Sequence, residues 1–237
     1  MFAETPELYD QIYGSFKDYE AEASQIAELL ALEIPGARSV LDVGCGTAEH
    51  ARLLHSRYGY LVAGLDIEPG FIGLARKKMP EADFWTEDMA DFSLGRSFDV
   101  VLCLFSAIGY VVTLDRLESA LRAFRAHLNP GGLVLVEPWF QPAAWSHGRV
   151  FVHTAESDDV SVVRMSHSGQ DGGRSILDFH YLIGTPDAVE HRTERHELGL
   201  FTKEDMEAAF AAAGFASVEH DPEGLIGRGM YLARVAL

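Results

Sequence analysis

The chain has 237 residues, 48% of them hydrophobic, and a formal net charge of −17 from 19 basic and 36 acidic side chains. Its length is enough to bury one substantial core, and its charge repels nucleic-acid phosphates and anionic membranes at long range, which excludes both as partners. The two cysteines, Cys45 and Cys103, read as small buried thiols rather than a disulfide or metal pair, and neither a leader segment nor a bilayer-length apolar run is found, so a cytoplasmic protein is expected.

In chain order, residues 19–32 read as a helix with Ile26, Leu29 and Leu30 on one face. Residues 39–43 form a first strand, 48–58 a helix, 61–66 a second strand ending in an acid, and 69–78 a helix with Pro69 suited to its first turn. A short third strand over 83–87 precedes a strongly apolar fourth over 98–105. Residues 114–128 read as a helix stopped by Asn129-Pro130-Gly131-Gly132, and 133–137 as a fifth strand. From about 145 to 200 the pattern changes to alternating strands over 160–167, 175–183 and 190–198, with a hairpin turn over 169–173. A helix over 203–213 and strands over 217–220 and 230–235 follow. No linker, repeat or low-complexity tract divides residues 1–237, so one domain is expected. The predicted fold class is α/β: a doubly wound, mostly parallel, seven-stranded sheet with an antiparallel β insertion over 145–200 that covers the strand ends. Such a sheet binds ligands beyond the carboxyl ends of its strands.

The run Leu41-Asp42-Val43-Gly44-Cys45-Gly46-Thr47-Ala48-Glu49-His50 reads as a strand, a glycine turn and a helix start. Gly44 and Gly46 let the backbone turn tightly and approach a ligand, and the helix start aims free N–H groups at whatever lies above the turn. Dinucleotide sites share this turn but carry a third glycine where this chain has Glu49. The anionic Glu49, with Asp42 close by, disfavours a pyrophosphate and favours a cation. Asp66 ends the second strand, close to the roughly 20-residue spacing expected of a ribose-binding acid. Asp88 suits an adenine amino group, with Met89 packing on the ring.

These residues carry a family resemblance. Asp42-Val43-Gly44-Cys45-Gly46-Thr47 resembles the first motif of the class I S-adenosylmethionine-dependent methyltransferases, Leu65-Asp66 their second, Glu87-Asp88-Met89 their third, and Asn129-Pro130-Gly131-Gly132 the turn before their fifth strand. Ala48 departs from the pattern, where the family usually carries glycine, and implies a small shift of the turn. The resemblance implies the Rossmann-like methyltransferase fold and S-adenosyl-L-methionine as methyl donor, with S-adenosyl-L-homocysteine as product. It implies a donor site of Tyr13, Tyr19, Asp42, Gly44, Cys45, Gly46, Thr47, Asp66, Ile67, Asp88, Met89, Leu104 and Phe105. Further along, Tyr9-Asp10 with Lys17-Asp18-Tyr19, Leu104-Phe105-Ser106-Ala107-Ile108-Gly109-Tyr110, Val136-Glu137-Pro138-Trp139 and Gly227-Arg228-Gly229 are similar to the N,N-dimethyltransferases of nucleotide-linked amino deoxysugars. That implies N-methylation of such a sugar.

Methyl transfer needs a nucleophile in line with the sulfonium carbon, and orientation alone supplies on the order of 7–11 kcal/mol in favourable cases. Tyr13 and Tyr110 are candidate catalytic phenols, with core packing as the alternative. Glu137 is a candidate base or amine holder, or else a loop cap. His180 and His196, on the insertion, are candidate bases. Ser106, Tyr110, Trp139 and Arg228 are expected to contact the acceptor, Arg228 through an anionic group. No histidine pair has zinc-motif spacing, so no metal is expected. The partner is a small-molecule acceptor, and a homodimer is compatible with the chain. Three other readings stay open: a methyltransferase for another small amine, carboxylate or hydroxyl, an NAD-binding oxidoreductase, and a non-catalytic cofactor-binding domain.

Overall fold

The computed structural model describes residues 6–237. Helices α1 (Tyr9–Gly14) and α2 (Tyr19–Glu33) lead into the alternating unit β1 (Ser39–Val43), α3 (Glu49–Tyr58), β2 (Leu61–Asp66), α4 (Pro69–Lys78), β3 (Asp83–Thr86), β4 (Phe98–Cys103), α5 (Leu114–Ala126) and β5 (Leu128–Val136). Strands β6 (Val150–Glu156), β7 (Ser161–Asp171), β8 (Arg174–Gly184) and β9 (Val189–Gly199) follow, then α6 (Lys203–Ala212), β10 (Ser217–Asp221) and β11 (Met230–Arg234).

Seven strands form one sheet in the order β10-β11-β5-β4-β1-β2-β3. The pairs from β5 to β3 are parallel, and β11 joins β5 and β10 antiparallel. The period of two along each strand sends Leu41, Val101 and Val134 to one face, against Leu121 and Phe124 of α5 and Phe210 of α6. Val40, Val100 and Leu133 go to the other face, against Ile26 and Leu30 of α2, Leu54 of α3 and Ile72 of α4. Both faces are covered, which is why these strands read as continuous apolar runs. The strand order reverses between β1 and β4, so the loops after these two strands open a crevice at the switch point.

Strands β6 to β9 form a separate antiparallel sheet in sequence order. One face is buried, as the alternation along β7 shows, and the other lies in solvent. This sheet has one strand more than the three that the periodicity singled out: β6 opens on the exposed run Val150, Phe151 and Val152. Helix α1 was also not expected. It is one and a half turns long, and its form comes from packing: Ile12 joins Val162, Phe179 and Tyr181 of the four-stranded sheet, while Tyr9 meets Phe71 of α4 edge-on at 4.9 Å. The segment Asn129-Pro130-Gly131-Gly132 lies inside β5 as a bulge between the Phe98–Leu128 and Val100–Leu133 pairs. Among the described residues, no helix is long and apolar enough to cross a membrane.

Candidate functional site

A cavity of about 900 Å³ lies between the carboxyl ends of β1, β2 and β4 and the buried face of the four-stranded sheet. Its floor begins at Gly44, whose N–H donates to the Leu65 carbonyl at 2.8 Å. Gly44 has φ +72°, and a Cβ there would lie 2.7 Å from the Ala107 Cβ, so the turn after β1 and the loop after β4 touch only because this residue has no side chain. The Met89 methyl sits 3.6 Å from the same point. Gly46 donates its N–H to Asp66 Oδ2 at 2.9 Å, and Glu68 N–H reaches Asp66 Oδ1 at 2.9 Å. Asp66 therefore anchors the glycine turn with its first lone pairs, and burial raises its carboxyl above the usual range against the pull of these N–H groups. Asp42, 3% exposed, is pushed up to about 7 by burial, with Asp66 beside it.

A small recess off this floor is lined by Tyr9, Tyr19, Asp42, Cys45, Thr47 and His50. Thr47 Oγ1 bonds Asp10 and accepts from Lys78 Nζ at 2.9 Å. Glu49 pairs with Arg52 and Lys78. Its charge is thus spent locally, and the case against a pyrophosphate at this turn rests on Asp42 and Asp66. Asp88 accepts two hydrogen bonds from Arg116, at 2.9 and 2.7 Å. Burial pushes the Asp88 carboxyl up, but Arg116 and the Ala90 N–H outweigh it and hold it below the usual range.

The loop after β4 carries the strain of the site. Phe105 and Ser106 have φ of +51° and +61°, a left-handed pair without glycine. Glu137, fully buried at 0% exposure, accepts the Phe105 N–H at 2.7 Å through Oε2. Ser106 Oγ donates to the Pro138 carbonyl at 2.7 Å and accepts from Arg228 Nη1 at 3.0 Å. Neither Glu137 nor Ser106 lines the cavity. Both stand behind its wall and hold the loop and Arg228, so the reading of Glu137 as a base and of Ser106 as an acceptor contact is corrected to positioning.

The opposite end of the cavity is basic and aromatic. Arg228 lies 4.9 Å from the Trp139 ring and 5.0 Å from Phe140. Arg164 on β7, 5% exposed, donates to Tyr13 Oη at 3.1 Å and sits 5.0 Å from the rings of Tyr13 and Phe179. Its Nε has no hydrogen-bond partner among the described residues. Arg149 stands at the rim beside Phe151. None of the three forms an ion pair among the described residues, whereas Arg52, Arg57, Arg96 and Arg234 all do. The indole N–H groups of Trp139 and Trp145 are spent on Ser175 Oγ and the Gly169 carbonyl, which leaves ring faces for a ligand.

Tyr110 lines the cavity, and its hydroxyl lies 2.7 Å from His196 Nδ1. His196 is 1% exposed and does not itself line the cavity; this phenol joins it to the cavity wall. His180 does not reach it. The ring lies on the exposed face of β8, stacked on His191 at 5.3 Å, so His180 is withdrawn as a candidate base. Tyr13, Gly44, Gly46, Asp66, Ile67, Asp88, Met89, Leu104, Phe105, Tyr110, Trp139 and Arg228 do line the main cavity, and Tyr19, Asp42, Cys45 and Thr47 the recess. Sequence reasoning carried Tyr9 and Lys17 only as marks of the resemblance, with no site role, left Arg164 without a place, and missed Arg149 and Glu194. Of the last two, only Glu194 had a legible signal, two residues from His196 on one strand face.

A family model described as a methyltransferase domain matches residues 40–132. The chain is 43% identical, over 96% of its length and 89% of the relative, to a dTDP-3-amino-3,6-dideoxy-alpha-D-glucopyranose N,N-dimethyltransferase of Streptomyces fradiae. Among solved structures it is similar to Streptomyces venezuelae DesVI, with a TM-score of 0.91 and 39% identity over 98% of each chain. It is also similar to SAM-bound CalS10, an amino pentose methyltransferase from Micromonospora echinaspora, with a TM-score of 0.86 and 33% identity over 96% of each chain.

Proposed function

We propose, for a chain that belongs to the methyltransferases and among them to the dTDP-amino-sugar N,N-dimethyltransferases, N-methylation of a nucleotide-linked amino sugar with S-adenosylmethionine as donor. The observation that carries the proposal is the division of charge in one cavity. Asp66, Glu68, Glu87 and Asp88 line one end, where Arg116 is paired with Asp88, and Arg149, Arg164 and Arg228, none in an ion pair among the described residues, line the other. A cationic donor suits the first end and an anionic acceptor the second.

Residues at the acidic end fit the donor. The Gly44 close approach and the Gly46–Asp66 bond shape a cradle for it, Asp42 and Asp66 answer its ammonium and ribose, and Asp88 and Met89 answer its adenine. When bound, S-adenosylmethionine supplies an electrophilic methyl: the acceptor nitrogen's lone pair takes it, and the C–S bonding pair returns to sulfur. At the other end Arg164 and Arg228 hold the diphosphate, and Trp139 excludes water from the sugar. The four-stranded sheet is the acceptor's cover, within one domain of residues 1–237. A homodimer and a cytoplasmic site of action complete the proposal. The test is a mass measurement on a dTDP-linked 3-amino deoxysugar incubated with enzyme and donor: successive gains of one and two methyl groups are expected, and no gain overturns the reading.

A further inference from the structure

One buried chain of polar groups is not used by the binding roles above. It begins at the cavity wall with the Tyr110 phenol and runs 2.7 Å to His196 Nδ1. His196 Nε2 then lies 3.3 Å from Glu194 Oε2, an oxygen that also accepts from Tyr181 Oη at 3.1 Å. With Glu194 ionised, its oxygen only accepts, and the ring nitrogen facing it carries the proton. His196 Nδ1 is then the bare nitrogen, and the Tyr110 O–H donates into it. The Tyr110 oxygen consequently turns only lone pairs towards the cavity, which suits a donor such as an ammonium N–H.

We propose that Tyr110, His196 and Glu194 form a proton relay that frees the acceptor's nitrogen lone pair before methyl transfer. The inference rests on the amino-sugar reading. An aliphatic amine near neutral pH is largely protonated, and an ammonium has no lone pair with which to attack. The ammonium N–H passes its proton to Tyr110 Oη while the Tyr110 O–H passes its own to His196 Nδ1. The imidazolium so formed faces the Glu194 carboxylate, and the nitrogen is left neutral. Methylation makes a new ammonium. As the monomethylated product leaves, the proton on His196 returns through Tyr110 to water, and the discharged relay then serves the rebound monomethylated amine before a second transfer.

The groups that face the imidazole set how long it keeps the proton. Glu194 on its own strand favours the charged ring. Phe179 of β8 packs edge-on at 4.9 Å, and burial, the largest influence, together with the charge of Arg164 on β7 disfavours it. Tyr110 comes from the loop after β4. The balance is that of a transient carrier.

The experiment compares kcat of the wild type with that of Tyr110→Phe and His196→Gln on a dTDP-linked 3-amino deoxysugar from about pH 7 to about pH 10, with S-adenosylhomocysteine binding as the check on folding. Both variants are expected to lose on the order of 10²–10⁴-fold at neutral pH and to recover towards the wild type at high pH, where water deprotonates the amine. A loss of Tyr110→Phe activity that is constant with pH, or no loss at neutral pH, overturns the relay and leaves the amino-sugar reading standing. A wild type that methylates a carboxylate or hydroxyl but no amino sugar overturns both. If His196→Gln fails to bind S-adenosylhomocysteine, Tyr110→Phe, which keeps the ring, decides alone.

Discussion

Arg164 is a buried cation whose Nε has no hydrogen-bond partner among the described residues, and burying an unpaired charge is costly unless a ligand answers it. Replacing it removes a charge-assisted bond worth ~1.5–3 kcal/mol. Arg164→Met is therefore expected to raise KM for the nucleotide-sugar by roughly 10- to 100-fold, while S-adenosylhomocysteine affinity and the melting temperature hold or rise. An unchanged KM in steady-state kinetics contradicts the assignment. Asp42 makes the complementary case at the donor end. Its carboxyl is pushed up to about 7 by burial, against about 3.9 in an unfolded chain. Between these values the folded protein binds more protons than the unfolded one, so this group's contribution to stability is lost as pH rises through that window. Asp42→Asn is expected to melt above the wild type at pH 8, with the difference shrinking towards pH 4, and to bind S-adenosylmethionine more weakly. Calorimetric titration and melting curves at the two pH values check both signs.

The elements around the glycine turn obey a conformational rule that sequence reading met only in part. Gly44, Gly46 and Ala48 take φ of +72°, +55° and +66°, so every second residue of the turn is left-handed. Gly44→Ala adds about 1–2 kcal/mol of backbone strain to a 2.7 Å clash with Ala107, and is expected to abolish donor binding. Ala48→Gly relieves the same strain, less the roughly 0.4–1 kcal/mol lost to a freer unfolded chain and about 0.8 kcal/mol for the buried methyl. Its melting temperature is expected to stay close to the wild type's, unlike an ordinary buried alanine-to-glycine change at a helix start. A clear fall would show that the turn is not strained. The strands, and hence the placement of Asp42, Asp66 and the loop after β4, were legible because β1, β2 and β4 are buried on both faces and read as apolar runs. Strand parity on the inserted sheet was not. His196 pairs with Leu177 and His180 with Thr193, which puts the two histidines on opposite faces, and that register is set by cross-strand pairing and turns rather than by either strand alone. The left-handed pair Phe105–Ser106 was equally hidden, because it is held without glycine by Glu137 from 32 residues away.

At the scale of the whole molecule, a chain of formal charge −17 has to admit a nucleotide-sugar that is itself anionic. The cavity arginines Arg149, Arg164 and Arg228, which form no ion pair among the described residues, give a local field of the right sign inside a global field of the wrong one. Screening shrinks the global field first, since the Debye length falls from about 30 Å at 0.01 M salt to about 8 Å at 0.15 M. The association rate constant for the nucleotide-sugar in stopped flow is therefore expected to rise over that range, and a fall would mean that the arginine end already dominates at long range. The same division of charge underlies the donor and acceptor assignments together. The most direct test is mass spectrometry of a dTDP-linked 3-amino deoxysugar, a simple alkylamine and a hydroxylated analogue of the same nucleotide-sugar, each incubated with enzyme and S-adenosylmethionine. Successive methyl gains on the amino sugar alone are the predicted result. Methylation of the alkylamine or the hydroxyl, with the amino sugar untouched, would contradict the account.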